Sequence, residues 1–182
     1  MSPSSHRIVI TSSWNGAPTP KAQHVVLTYD DSDPHELMVE IDAPYHDDTP
    51  PDCIAGSTWA LWEHEVVELF LVSAQGPYLE LEFGPHGHYL ALWLTEPRVI
   101  AKRHLKIGYE SRIEHNRWHG VAKVPKCIVP TQITRWNAFS IFGSSSNRQY
   151  LSFHPLPGKA PDFHQPEYFA PFPQPQLQSP SL

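Results

Sequence analysis

Apolar and polar residues alternate with a period of two along most of the chain. Such alternation is typical of strands, because successive side chains of a strand point to opposite faces of a sheet. The pattern predicts about nine to ten short strands, in the segments 7–11, 24–29, 36–41, 65–72, 78–83, 88–94, 107–115, 118–124, 136–142 and 149–153. Since no long amphipathic helix accompanies them, the chain is predicted to be all-β, an antiparallel β-sandwich or jelly roll.

Two segments depart from the strand pattern. Residues 43–60 contain three Pro, one Gly and three Asp residues and predict a long loop, a kind of segment that often carries function in compact domains. Residues 171–182 consist mainly of Pro, Gln and Ser and predict a disordered tail. The sandwich domain is therefore expected to span residues 1–170.

The segment 65–72 is the strand that departs from clean alternation. Positions 67, 69 and 71 are apolar, and so are positions 66, 70 and 72, which indicates a central strand covered on both faces. Glu68 lies among these apolar neighbours. Burying its charge costs on the order of several kcal/mol of desolvation unless the charge is paired. Two interpretations stay open: a structural carboxylate satisfied by an Arg or backbone amides, or a ligand acceptor at the floor of a cleft.

The following two predicted strands each have a face of leucines that we assign to the core. Their other faces carry Tyr78, Glu80 and Glu82 on the first strand and Tyr89 and Trp93 on the second. We expect these five side chains to form one amphipathic surface. Aromatic planes and carboxylates together are suited to stacking on a sugar and accepting its hydroxyl hydrogens. A solvated outer face of the sheet is the alternative.

Composition narrows the class of protein. The length of 182 residues fits one domain, and the net charge of -6 argues against binding to nucleic acid, whose phosphates attract a basic surface. We find no apolar run near the roughly 20 residues that cross a membrane and no signal-peptide pattern. Cys53 and Cys127 form no CxxC pair, which favours free thiols and a cytoplasmic location, although the sequence does not decide whether they pair in space. The oligomeric state stays open.

Four sequence blocks carry a resemblance to a known family. They are Trp-Glu-His-Glu-Val-Val-Glu-Leu-Phe-Leu at 62–71, Tyr-Leu-Glu-Leu-Glu-Phe at 78–83 with Pro-His-Gly at 85–87, Arg-Trp-Asn-Ala-Phe at 135–139, and Asp-Phe-His-Gln-Pro-Glu-Tyr-Phe at 162–169. In this order they resemble the anchor motifs of family 9 carbohydrate-binding modules and their DOMON-like relatives. The layout also resembles a small uncharacterised animal family of about this length.

The resemblance implies a β-sandwich that binds a sugar without catalysis, between two aromatic rings and above polar residues. By position, Trp62 matches the first ring and Phe163 the second, Glu68 the carboxylate that accepts from ligand hydroxyls, and Glu80 a polar site position. Phe163 departs from the Trp of the family and offers a smaller ring without an N–H donor. Glu80 also departs, since sugar-binding members can carry a basic or amide residue there.

The sequence therefore predicts a non-catalytic domain that binds a small saccharide or polyol through these four residues, with no cofactor and no bound metal. One alternative is a glycosidase-like enzyme using Glu68 and Glu80, since that chemistry needs two carboxylates about 5–9.5 Å apart. A second is a metal site built from some of the 12 histidines, with His86 and His88 at a turn. A third is a ligand-free adaptor scaffold whose Pro-rich tail binds a partner.

Overall fold

The computed structural model describes residues 5–173, which form two antiparallel β-sheets. The strands are β1 (Ser5–Ile10), β2 (Ser12–Ser13), β3 (Val25–Asp30), β4 (Glu36–Pro44), β5 (Val66–Ser73), β6 (Tyr78–Phe83), β7 (Tyr89–Glu96), β8 (Val99–Lys102), β9 (Gly108–Glu114), β10 (Arg117–Pro125), β11 (Ile133–Phe142), β12 (Gln149–Ser152) and β13 (Ala170–Pro171). Short 3-10 helices occur at Lys21–Gln23, Leu61–Glu63, Lys126–Ile128, Ser145–Asn147 and Pro166–Tyr168.

The two sheets form a sandwich. The smaller sheet has the strand order β1-β3-β4-β10-β9, and the larger sheet has the order β2-β12-β11-β5-β6-β7-β8, with β13 paired to β11. No α-helix occurs among residues 5–173. The prediction of an all-β antiparallel sandwich is confirmed.

Each of the ten predicted strand segments overlaps a strand of the structure, and the three additional strands are short. The strands β2 and β13 have two residues each. The strand β8 has four residues, and all four are exposed. An alternation of buried and exposed positions is not readable over so few residues, which explains the difference from nine to ten strands.

The core has two layers, one between the sheets and one outside the larger sheet. Val67, Leu69 and Leu71 of β5 pack in the layer between the sheets, while Phe70 packs in the outer layer. Every residue of β5 is buried, as expected for a central strand covered on both faces. The outer layer is completed by residues 153–169, named here the closing segment, which follow β12 and lie over the larger sheet through Leu156, Phe163 and Phe169.

The expectation that Glu80 and Glu82 share a face with Tyr89 and Trp93 is wrong. The register pairs Glu80 with Leu92 and Glu82 with Leu90, so the acidic face of β6 continues into the leucine face of β7. Tyr89 and Trp93 instead pack on the layer between the sheets. Both faces of this sheet are buried, so apolar character does not distinguish an inner face from an outer one.

The predicted tail, residues 171–182, is described as far as residue 173, and residues 174–182 lie outside the described residues. Pro171 pairs with Arg135 of β11, and the ring of Phe172 meets those of Trp136 and Tyr29 at centroid distances of 5.0 and 5.4 Å. Cys53 and Cys127 are both free and exposed. None of the helices within residues 5–173 has the length and apolar character needed to cross a membrane.

Candidate ligand-binding site

A cavity of about 450 Å³ lies on the outer face of the larger sheet. Its floor is formed by β5, β6 and β7, and its walls come from the loop before β5, the β7–β8 turn and the closing segment. All four residues predicted from the sequence, Trp62, Glu68, Glu80 and Phe163, line this cavity. The structure thus brings them together, although their role in binding stays a prediction.

Two indole rings form one wall of the cavity. Trp59 and Trp62 meet edge to face, with centroids 5.1 Å apart and planes at 81°. Ala60 between them adopts a left-handed backbone, with φ of 58°, and leads into the 3-10 turn Leu61–Glu63 that aims Trp62 at the sheet. The guanidinium of Arg148 holds this turn by donating to the carbonyl of Trp62 at 2.5 Å. Trp59 was not predicted from the sequence, because the pattern of a loop does not show which of its rings face a site.

The ring of Phe163 is held by the core and is not freely presented to the cavity opposite Trp62. Its ring stacks on Phe139 of β11 with centroids 3.9 Å apart and planes at 9°, and only 8% of the residue is exposed. One ring face is therefore occupied by the core, and Tyr150 meets the ring edge to face at 6.1 Å. Phe163 closes a wall of the cavity as part of the outer core layer, whereas Trp59, 44% exposed, lies at the mouth.

Three carboxylates gather at the floor. Glu68 of β5 is directly opposite Glu82 of β6, and Glu80 lies two residues from Glu82 on the same face. One carboxylate oxygen from each lies within 4.8 Å of the others. Glu82 does not line the cavity and was not predicted as a site residue, although its position on the acidic face of β6 could have indicated it.

Burial dominates the electrostatics of these three groups. Glu68, Glu80 and Glu82 are 2%, 3% and 0% exposed. Burial raises the pKa of Glu80 to about 8 and raises the pKa of Glu68 and of Glu82 well above the usual range. The negative charge of Glu80 raises the pKa of Glu68 further, while the positive charge of Arg148 lowers it. The backbone N–H of Trp62 lowers the pKa of Glu82 without forming a well-aligned hydrogen bond.

A polar network joins the closing segment to the β7–β8 turn at the rim. Arg98 donates to Asp162 at 2.8 Å, and Asp162 also accepts from the backbone N–H of His164 at 3.0 Å. The Tyr78 hydroxyl lies 2.7 Å from Nδ1 of His164. Burial, reinforced by the charge of Arg98, lowers the pKa of His164 to about 4, so the ring is neutral at pH 7. Arg98 and Asp162 come from distant parts of the chain and were not identified from the sequence as site residues.

Two buried polar side chains outside the cavity, Glu65 and His88, each have a structural partner. The Glu65 carboxylate accepts from the backbone N–H of His46 at 3.1 and 3.2 Å and ties the long loop to the sheet, and burial raises the pKa of Glu65 to about 7. Nε2 of His88 lies 3.1 Å from the carbonyl of Cys53. Within residues 5–173, the glutamate cluster is the only group of three or more suitable side chains brought close enough for one metal ion, so the histidines form no such group there.

Together the fold and the cavity define a class, an all-β sandwich protein with a ligand-sized cavity outside its larger sheet. A crystal structure of a proposed carbohydrate-binding protein from Bacteroides uniformis has this fold, with a TM-score of 0.68 and 15% identity over 91% of this chain and 84% of that one. No family model matches the chain.

The chain belongs to the UPF0462 (C4orf33) family. It is 34% identical to human C4orf33 over 172 residues, which cover 90% of this chain and 85% of the human protein. It is 38% identical to the rat homologue over 145 residues, which cover 75% of this chain and 73% of the rat protein. The predicted resemblance to a small animal family of this length is confirmed, and the finer resemblance to family 9 modules stays a prediction.

Proposed function

We propose that the cavity binds a small saccharide or a related polyol and does not convert it. The observation that carries this proposal is the pairing of two indole rings, Trp59 and Trp62, with the buried carboxylates of Glu68 and Glu80 in one cavity. The C–H face of a sugar ring stacks on an aromatic plane, and its hydroxyls donate to carboxylates. A volume of about 450 Å³ lies in the range of small-molecule sites, roughly 300–1,000 Å³.

The expected energies suit a reversible binder. Stacking on an indole contributes about 0.5–1.5 kcal/mol beyond the burial of area. A hydrogen bond between a sugar hydroxyl and one of these carboxyl groups contributes about 0.5–1.5 kcal/mol when the carboxyl is protonated and about 1.5–3 kcal/mol when it is ionised. The proposed carbohydrate binding of the structural neighbour supports the same class of ligand, and the fold is what the two proteins share.

The placement of the carboxylates supports binding over glycoside hydrolysis. Glycosidases flank the scissile bond with two carboxylates about 5–9.5 Å apart, one on each side of it. Glu68 and Glu80 instead lie on adjacent strands of one floor, in a cluster in which one carboxylate oxygen of each residue lies within 4.8 Å of the others. We therefore expect no turnover of a panel of nitrophenyl glycosides. If wild type released nitrophenol and Glu68→Gln did not, this part of the proposal would be overturned.

A ligand screen tests the binding itself. Monosaccharides, disaccharides, sugar phosphates and cyclic polyols are added to the full chain, and the melting temperature is recorded. A ligand at 100 times its Kd raises the free energy of unfolding by about 2.7 kcal/mol. Any hit is then titrated by calorimetry against wild type, Trp62→Ala and Trp93→Ala. Trp93 is a half-buried Trp of the same sheet outside the cavity, so it is the matched control.

The proposal expects binding to be weakened roughly five- to tenfold in Trp62→Ala and retained in Trp93→Ala. No stabilisation by any compound of the panel at millimolar concentration would contradict it. Equal binding to wild type and Trp62→Ala would also contradict it, because the ligand would then lie elsewhere. The free, exposed thiols of Cys53 and Cys127 are consistent with our further proposal of a cytoplasmic location, which fractionation of cells would test.

A further inference from the structure

We propose that Glu68, Glu80 and Glu82 bind a divalent cation at the floor of the cavity, and that Ca²⁺ is the best match. The inference goes beyond the proposed saccharide binding and stands on the cluster itself. Each of the three residues offers a carboxylate oxygen, and these oxygens lie within 4.8 Å of one another. Oxygens on opposite sides of a Ca²⁺ ion are about 4.6–5.2 Å apart, since each Ca–O distance is about 2.3–2.6 Å. The cluster therefore already has the span of a Ca²⁺ ligand set.

The second observation is that the cluster contains buried oxygens without partners. Oε2 of Glu80 and both carboxylate oxygens of Glu82 accept no hydrogen bond of ordinary geometry from any donor in the described part of the chain. The neighbours that act on them are each other's carboxyl groups and, for Glu82, the backbone N–H of Trp62. Glu82 is 0% exposed and Glu80 is 3% exposed. Buried carboxylate oxygens are normally hydrogen-bonded, paired or bound to a metal, because losing hydration without compensation is costly. An ion among the three carboxylates would supply the missing partner.

Charge is the third argument, and it indicates a dication. Three ionised carboxylates carry three negative charges, and Arg148 is the basic residue whose charge acts on Glu68. Its guanidinium is engaged with the carbonyls of Gly143, Trp62 and His64 and does not donate to the cluster. One positive charge against three leaves two negative charges, which a single divalent cation balances. Without an ion, protons must remove the same charge.

Ligand type and access select among cations. The cluster offers oxygen donors alone, which favours hard cations over the metals that bind imidazole or thiolate. Glu68 and Glu80 line the cavity and Glu82 lies behind them, so an ion would be reached from the cavity and its free coordination positions would face it. Water fills those positions, or a sugar hydroxyl does. This last step, and only this step, rests on the proposed function.

The test is made on the full chain, first without any sugar. Wild type freed of metal by EDTA and dialysis is titrated with CaCl₂, MgCl₂ and MnCl₂, read by calorimetry and by melting temperature. We expect Ca²⁺ to bind and to raise the melting temperature by about 5–10 °C at 100 times its Kd. Terbium chloride is a second probe, whose emission is sensitised by a nearby Trp, and Trp62 lines the same cavity.

The variants are Glu82→Gln and Glu68→Gln, and the matched control is Glu65→Gln, a buried carboxylate outside the cluster. We expect each cluster variant to weaken Ca²⁺ binding by about tenfold or more, because affinity depends on the charge of the ligand set. The control retains it. Circular dichroism establishes that each variant is folded, and a cluster variant that fails to fold is replaced by the other.

Three results would overturn the inference: no binding of any of the four ions to wild type, unchanged binding in both cluster variants, or equal loss in Glu65→Gln. Failure of the saccharide proposal gives a different result, since Ca²⁺ would still bind while no sugar did. Sugar binding that is unchanged by EDTA would refute the step in which the ion contacts the sugar, and the Ca²⁺ titration would stand.

Discussion

Trp62→Ala should mainly weaken ligand binding, whereas Phe163→Ala should mainly lower the free energy of unfolding. Trp62 is half-buried, and its ring contacts Trp59 beside the cavity. We expect Trp62→Ala to cost about 1–2 kcal/mol of unfolding free energy, well below the roughly 3–5 kcal/mol of a fully buried aromatic ring. Its effect on ligand binding should be larger in relative terms. Losing about 1–1.5 kcal/mol of stacking weakens Kd roughly five- to tenfold.

Phe163→Ala removes a ring that stacks on Phe139 at 3.9 Å and is only 8% exposed. The resulting void lies in the outer core layer, so we expect the cost to be about 3–5 kcal/mol. The difference between the two variants follows directly from their burial. It distinguishes a ring presented to the cavity from a ring held by the core.

Urea unfolding at constant pH measures the stability of both variants, and calorimetry with a ligand from the screen measures affinity. Phe163→Leu is the control, because it retains most of the apolar volume and should recover much of the lost stability. A loss above about 3 kcal/mol in Trp62→Ala would refute the reasoning, because Trp62 would then be a core residue. So would a Phe163→Ala variant as stable as wild type.

Three further predictions concern charge and packing. In EDTA at pH 8, Glu68→Gln should raise the free energy of unfolding by about 1–3 kcal/mol, because folding no longer has to protonate this carboxylate or confine its charge, and urea titration would show a loss if Glu68 were well paired. The pKa of Glu65 rises from 4.5 in the unfolded chain to about 7 in the folded one, so the folded chain binds more protons between these values and stability falls as pH rises through this range. The pKa of His164 falls from 6.5 to about 4, so its contribution is present above about pH 6.5 and is lost towards pH 4. The two slopes oppose each other over the shared range, so stability measured by urea unfolding between pH 4 and 7 should rise more steeply with pH than in wild type in Glu65→Gln and less steeply in His164→Phe. Phe172→Ala should cost about 1–2 kcal/mol because the ring packs on Trp136, and a melting temperature equal to wild type would contradict that packing.

Local alternation was sufficient to predict the strands and the central position of β5. Both follow from the two-residue period and from the apolar residues on both sides of Glu68. The faces of β6 and β7 could not be assigned in the same way. Their inner and outer sides are equally apolar, so only the pairing of Glu80 with Leu92 shows which sides coincide.

The candidate site was predicted in part for a similar reason. Trp62, Glu68, Glu80 and Phe163 were found by resemblance to ordered motifs, and all four line the cavity. Arg98, however, belongs to a turn between strands, where side-chain direction is set by long-range contacts with the closing segment. Alternation carries no information about such contacts.

The position of the closing segment along the chain has a consequence for biosynthesis. Glu68, Glu80 and Glu82 leave the ribosome about 70 to 100 residues before the closing segment that covers their face of the sheet. Until residues 153–169 dock, this face is open to water and the three carboxylates can stay ionised at neutral pH. Docking must then be accompanied by uptake of protons or of an ion from the surrounding solution. Docking of the closing segment is therefore coupled to a chemical event, and its equilibrium depends on the pH and the cations of the compartment in which the chain is made.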